Sequence, residues 1–264
     1  MINELRASIE KRNVILFVGA GVSATLGLPN WSQLISHLAD ELGYDERIFR
    51  LYGDNLLLAE FYAITKGDIK ELRNWMETQW VVAPEDIKKS KIYEAIVKLK
   101  FPLIYTTNYD HCLEAAFNIF GESYNRIIDV DNLVSSDTNE TQIIKFHGDT
   151  ISDRSIVLTE SDYFERLNFN SALDIKLQAD MLGKSILFIG YALSDINIRI
   201  LIYKLDKLWK KSNDKTKRPQ SYLFLPTPNP IQEAILNSRG IQTIVGEELN
   251  KSKSLEKFLT DLLS

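Results

Sequence analysis

The 264-residue sequence predicts an α/β fold: a doubly wound, mostly parallel sheet with helices on both faces and a small helical insertion lobe. Three observations predict it. Short apolar runs rich in Val, Ile and aromatics recur along the chain, and segments of helical period separate most of them. One interval, residues about 44–100, has several helical patterns and no strand-like run.

The first run, VILFV (14–18), is apolar throughout rather than alternating, as expected of a strand covered on both faces. A helix comes next, with Trp31, Leu34, Ile35, Leu38, Ala39 and Leu42 on one face. Three helical patterns fill the insertion: NLLLAEFYAI, DIKELRNWMETQW and KIYEAIVKL. Further strands are predicted at PLIYT (102–106), RIID (126–129), QIIKF (142–146), SIVL (155–158), SILFIG (185–190), SYLFL (221–225) and IQTIV (241–245). Ile198, Leu201, Ile202, Leu205 and Leu208 mark one later helix, and Leu255, Phe258, Leu259 and Leu262 another. Alternation of strand and helix specifies a Rossmann-like sheet. Residues 1–264 are read as one domain, with the insertion forming a lobe beside the C-terminal end of the first strand.

With 31 basic and 36 acidic side chains the net charge is −5, which gives no reason to expect direct nucleic-acid or membrane-surface binding. The Lys-rich stretch 204–218, interrupted by Asp206 and Asp214, reads as a solvated helix end and loop. A single cysteine, Cys112, excludes an internal disulfide and a four-thiolate zinc site; in step with Leu113, Ala116 and Phe117, it reads as core. MINELRASIEKRN lacks the apolar segment of a signal peptide, and no run approaches the roughly 20 residues of a membrane span, so a cytoplasmic location is expected.

In such sheets ligands bind outside the carboxyl ends of the strands. GAGVSATLGLP (19–29), TTNYD (106–110), HGD (147–149) and GYALSD (190–195) each come directly after an apolar run, so all four converge on that edge. Gly19 and Gly21 allow a sharp turn and a close approach of phosphate to main-chain N–H groups, at the positive end of a helix expected near Val22, and Ser23 adds a hydroxyl. Gly27-Leu28-Pro29 fixes a second turn. The stretch fits the G-x-G-x-x-G/A fingerprint of dinucleotide dehydrogenases, yet the acidic residue needed about 20 positions on is absent: Asp40 and Glu41 lie in a helical pattern. No G-K-[ST] is present after it, which excludes a P-loop. His147, presented at a strand end with open space beside it, suits a general base. Asn108 is suited to orienting a water or a ribose hydroxyl, or to capping the next helix. His37 reads as a surface residue, and His111 as a structural neighbour of the site.

Together, GAG-x-S-x(3)-G-x-P, T-x-N-x-D, H-G and G-Y-x-L-S-D resemble the sirtuin family, and most closely the sirtuin-like domains of bacterial anti-phage defence proteins, over roughly residues 10–260. The resemblance implies NAD⁺ as substrate. Gly19, Ala20, Gly21 and Ser23 would meet its phosphates and ribose; Pro29, Trp31 and Thr107 would line the site; Asp110 would hold the nicotinamide carboxamide, and Gly190 and Ser194 would lie near the adenosine. Asn108 and His147 would be catalytic. Deacylating sirtuins carry four zinc-binding cysteines after the H-G, and this chain does not, so no metal is expected. Asn30-Trp31 replaces their Phe-Arg, Thr107 stands where they have Gln, and Ala192 replaces a Ser.

The activity so implied is NAD⁺ glycohydrolysis by an anti-phage, abortive-infection effector. The resemblance further implies a homo-oligomer and a separately encoded activating partner, an ATPase/helicase or an Argonaute-like protein. Two alternatives stay open: an NAD-dependent protein deacylase, and a sensor of NAD or an ADP-ribose derivative that does not turn it over.

Overall fold

The computed structural model describes residues 1–151, 156–191, 195–214 and 217–264. Seven strands form one all-parallel sheet: β1 (Val14–Val18), β2 (Leu103–Thr106), β3 (Tyr124–Ile127), β4 (Thr141–Lys145), β5 (Ser185–Ile189), β6 (Ser221–Leu225) and β7 (Ile241–Val245), in the order β3-β4-β2-β1-β5-β6-β7. Every residue of β1, β2, β4 and β5 is buried, because parallel strands in this architecture are covered on both faces.

The two faces can be read from β1 itself. Val14, Leu16 and Val18 join a core built with helices Ile2–Glu10, Pro84–Lys89, Lys91–Lys98, Cys112–Phe120 and Lys251–Leu263. Ile15 and Phe17 point the other way, into a core with helices Ala172–Gly183, Ile196–Lys210 and Pro230–Ser238. The sheet is therefore doubly wound, as the alternation predicts. Cys112, Leu113, Ala116 and Phe117 are all buried in the first core. Among the described residues no helix is long and apolar enough to cross a membrane.

The SIVL run departs from expectation: residues 156–158 form no strand, and Ser155 lies outside the described residues. The amides of Leu158 and Thr159 are taken by the Asp162 carboxylate, part of a capping box that starts helix Glu160–Arg166. Leu158 instead buries itself in the helical lobe. RIID is also displaced: β3 ends at Ile127, and Asp129 N-caps helix Val130–Ser135.

Residues 44–100 divide by what they pack against. A third core gathers Leu34, Ile35, Phe49, Leu58, Tyr62, Leu72 and Met76, whereas Ile87, Ile92, Tyr93 and Ile96 face the sheet. The lobe core thus uses helices Trp31–Glu41, Glu46–Phe49, Asn55–Lys66 and Lys70–Gln79. His37 is not a free surface residue. It stacks on Trp75 at 3.7 Å and 9°, and its Nε2 lies 3.1 Å from Glu41 Oε1. In the Lys-rich stretch, Asp206 is buried and bound by Lys210 and Arg218, so there it is a structural anchor.

At the centre of the sheet the strand order reverses between β1 and β5, the switch point where this architecture opens a crevice. Here the first glycine loop is clasped to the turn after β5. Gly19 N–H donates to Ile189 O (3.0 Å) and Gly21 N–H to Gly190 O (2.8 Å). A Cβ on Gly21 would meet Gly190 O at 2.8 Å; one on Gly190, whose φ is +58°, would meet Val22 N at 2.5 Å. Gly190→Ala is therefore expected to lower unfolding stability by more than about 2 kcal/mol, adding a backbone clash to the left-handed penalty. Gly27→Ala, at φ +82° with nothing within 4 Å, should cost only the penalty of about 1 kcal/mol. Urea unfolding of both variants checks the difference.

Candidate active site

Strand register aligns the four motif-bearing ends. Ile189 pairs with Val18, Val18 with Thr106, and Thr106 with Lys145, so these residues form one row across β5, β1, β2 and β4. Gly190 and Gly19 stand one step beyond the row. Asn108 and His147 each stand two steps beyond it, on neighbouring strands.

The glycine loop differs from a simple anion cradle. Helix Ala20–Ser23 begins at Ala20 and lasts four residues, too short for a sizeable dipole, and the amides of Gly19 and Gly21 are already spent on the clasp. The small residues serve first to let two backbones touch; Ala20 and Gly21 remain exposed for a ligand. Ser23 is buried and turns inward, accepting from Asn108 Nδ2 at 3.0 Å and lying 3.4 Å from Tyr93 Oη. Pro29 and Trp31 are half-buried where the loop enters the lobe, and Asn30 closes a capping box with Gln33.

Asn108 is held from both ends. Thr106 Oγ1 donates to Val18 O (2.9 Å) and accepts from Asn108 N (3.0 Å), while Ser23 receives the carboxamide nitrogen. Asn108 does not cap the next helix, whose N-cap is His111; Asp110, one residue before it, accepts from Cys112 N at 3.0 Å. Thr107 is half-exposed beside these anchored residues.

His147 is 2% exposed, so the open space expected beside it is filled. Its Nε2 lies 3.2 Å from Asp195 Oδ2 and its Nδ1 3.5 Å from Tyr163 Oη, with the Tyr163 ring edge-on at 5.2 Å. Behind it, Arg166 lies over Phe146 at 3.9 Å, donates to the Phe146 carbonyl and pairs with Asp174 at 2.5 Å. Burial pushes the His147 pKa down, the Asp195 charge pushes it back up, and the result is about 4. The ring is thus a neutral imidazole at neutral pH. Asp195 also N-caps helix Ile196–Lys210 through Ile198 N (3.1 Å), which fixes the carboxylate.

Asp110 belongs to a buried charge network that the sequence did not reveal. Lys145 is fully buried; its ammonium donates to Asp110 O and lies 3.6 Å from Glu114 Oε1, and His111 Nδ1 approaches the same oxygen at 3.5 Å. Burial pushes the Glu114 carboxyl up, but Lys145 and His111 outweigh it and hold the pKa at about 2. Beside this network is a cavity of about 510 Å³, lined by Asp110, His111 and Thr150 among polar residues and by Trp80, Val82 and Ile151 among apolar ones. Asn108 and His147 do not line it. Ala192 and Ser194 lie outside the described residues.

Tyr163 was missed because it reaches the site from another part of the chain; Lys145 and Glu114 stand only two and four residues from His147 and Asp110, but their pairing joins two strand ends that local sequence does not bring together. Asp195 stood in the GYALSD motif without a role; the signal that could have found it was its place after β5, on the same edge as His147.

Fold and edge together define a doubly wound α/β protein whose loops after β1, β2, β4 and β5 leave the sheet at one edge. The chain belongs to the SIR2-like domain family, whose model matches residues 102–244. It is 28% identical to the "NAD(+) hydrolase ThsA" of Enterococcus faecium over 205 residues, 76% of this chain and 42% of that protein. With "Defense-associated sirtuin 2" of Bacillus subtilis it shares 26% identity over 277 residues, 99% of this chain and 26% of that protein. The chain thus spans less than half the length of these relatives. Among solved structures it resembles a Sir2 homologue in complex with NAD, with a TM-score of 0.51 and 13% identity over 99% of this chain and 93% of that one. That likeness supports the fold.

The buried charges can be tested by stability. Glu114→Gln strands the Lys145 ammonium and should cost roughly 3 kcal/mol, while Glu114→Gln combined with Lys145→Met should recover most of the loss, as read by denaturant midpoints. For His147, the depressed folded-state pKa means that its stabilisation is complete above pH 6.5 and is lost as pH falls from 6.5 to about 4, where the unfolded chain gains a proton and the folded one does not. The stability of His147→Gln should therefore fall less steeply over that window than that of the parent.

Proposed function

We propose that this chain cleaves the bond between nicotinamide and ribose of NAD⁺, with water capturing the sugar. The observation that carries the reading is the placement of Asn108 and His147 two residues beyond register partners on adjacent strands, each with a neighbouring side chain engaging its polar group. The names of the ThsA relatives and the family membership support the choice of NAD⁺.

Nicotinamide already leaves as a neutral molecule from a pyridinium, so the protein has three tasks: to hold the dinucleotide, to stabilise positive charge on the ribose and to deliver water. In this reading Asn108, its nitrogen spent on Ser23, presents its carboxamide oxygen to the water or ribose hydroxyl. His147, neutral at working pH, accepts the proton, and Asp195 then stabilises the imidazolium. Tyr163 and Asp195 cover His147, so substrate entry requires at least one of them to move. Asp110 faces a cavity with room for nicotinamide. Ala20, Gly21, Pro29, Trp31, Thr107 and Gly190 are proposed to hold the rest of the cofactor, together with Ser194.

We further propose that this activity serves anti-phage defence, switched on by assembly into a homo-oligomer or by a separately encoded partner. The name of the Bacillus subtilis relative supports the biological setting. The deacylase alternative would need a module for peptide, and the single cysteine cannot supply the four-thiolate form of it.

Incubation with NAD⁺, with and without an acetylated peptide, tests the reaction. Nicotinamide release without peptide is the expected result; release only with peptide would establish the deacylase, and saturable binding without release the sensor. Asn108→Ala and His147→Ala should each lower release at least 100-fold, and Asp195→Asn about tenfold, in line with the usual worth of acid–base and electrostatic groups.

A further inference from the structure

Tyr109 is next to Asn108 in the chain but has no part in the chemistry described above. It is 6% exposed, and its hydroxyl crosses 48 positions of sequence to donate to Val157 O at 2.7 Å. Val157 N–H in turn donates to His147 O at 3.0 Å. Two hydrogen bonds thus run from the residue beside Asn108 to the backbone of His147. Burial, with the charges of Asp195 and Asp162, pushes the phenol pKa up, so the hydroxyl keeps its proton and remains a donor.

We infer that Tyr109 is a positioning residue that straps the Asn108 loop to the strand end bearing His147 and places both under the control of the helical lobe. The inference rests on the reading of Asn108 and His147 as the chemical pair. Its second support is the ring. Trp80 stacks on Tyr109 at 5.9 Å and 29°, Trp75 meets Trp80 at 6.5 Å, and His37 lies flat on Trp75 at 3.7 Å. Although Tyr109 comes just after a sheet strand, its side chain packs in the lobe core with Leu34, Tyr62 and Met76. One residue therefore carries three connections: to the lobe by its ring, to Asn108 by the chain, and to His147 by its hydroxyl through Val157. A shift of about 1 Å between reacting groups can cost 10²-fold in rate, so a strap that fixes their separation has kinetic consequences even though it touches no substrate. The contact also gives the lobe a direct route to the chemistry: movement of the helix bearing Trp75, or of Trp80 just beyond it, displaces Tyr109 first.

Pure packing predicts something different, because phenylalanine would fill the same space and stack on Trp80 equally well. Tyr109→Phe is the first test. The strap predicts that kcat for nicotinamide release falls at least tenfold with KM for NAD⁺ within twofold, and that backbone amides of residues 145–151 and 156–158 exchange with deuterium at least tenfold faster while those of β7 do not change. Unchanged exchange in those segments would overturn the proposal, as would an unchanged kcat in an active protein. Val157→Pro removes the second link, and the double variant should be no slower than the slower single variant; multiplicative losses would overturn the strap. Should the parent chain release no nicotinamide from NAD⁺, the reading of the reaction fails, and the exchange measurement still decides the strap.

Discussion

The parallel row Ile189–Val18–Thr106–Lys145 is the constraint on which the site depends. Once those residues are in register, the backbone has no choice about where the next few go. Gly19 meets Gly190, and Asn108 and His147 each stand two residues beyond paired residues of adjacent strands although they are 39 positions apart in sequence. A slip of one residue in the β2–β4 pairing would turn the side chains of β4 to the opposite face and part the two groups. Register in turn is fixed by burial on both faces, since β1 sends Val14, Leu16 and Val18 into one core and Ile15 and Phe17 into the other.

Around that frame the chain builds a closed site of competing charges. His147 is kept neutral by desolvation with a carboxylate at 3.2 Å, so a proton taken from water or ribose would find an immediate counter-charge in Asp195. Glu114 is kept ionised under almost equal burial because Lys145 lies beside it. The difference between the two cases is the sign of the nearest partner set against the cost of desolvation. The first pair belongs to the proposed chemistry; the second ties Asp110 to the first turn of helix Cys112–Phe120, which borders the cavity. The same economy holds at the glycine loop, where the amides a phosphate would seek are partly used to tie β1 to β5.

Much of this was legible in the sequence, for a physical reason. Strands buried on both faces become unbroken apolar runs, and β1, β4, β5, β6 and β7 stand within a residue of where those runs lie. The residues directly after each run must lie at the carboxyl edge, so GAG, TTNYD and HGD could be brought together before any distance was known. Legibility ended where local pattern stops carrying information. SIVL has a strand's composition, but the Leu158 amide serves a helix cap and the Val157 amide is taken by His147 O, and the helices near residues 84–98 have the same periodicity whichever core they face. Ser23 turned inward to Asn108, His37 stacked on Trp75, and Tyr163 over His147 are all contacts between distant residues that no spacing encodes.

The central claim is that Asn108 and His147 border one site that receives a dinucleotide. It is tested most directly by nitrogen-15 NMR of the protein titrated with ADP-ribose, tracking the ring nitrogens of His147 and the side-chain amide of Asn108, each assigned by substitution. The account predicts that both sets of resonances shift and saturate at the same ligand concentration. Saturable binding elsewhere that leaves either set unmoved would contradict it.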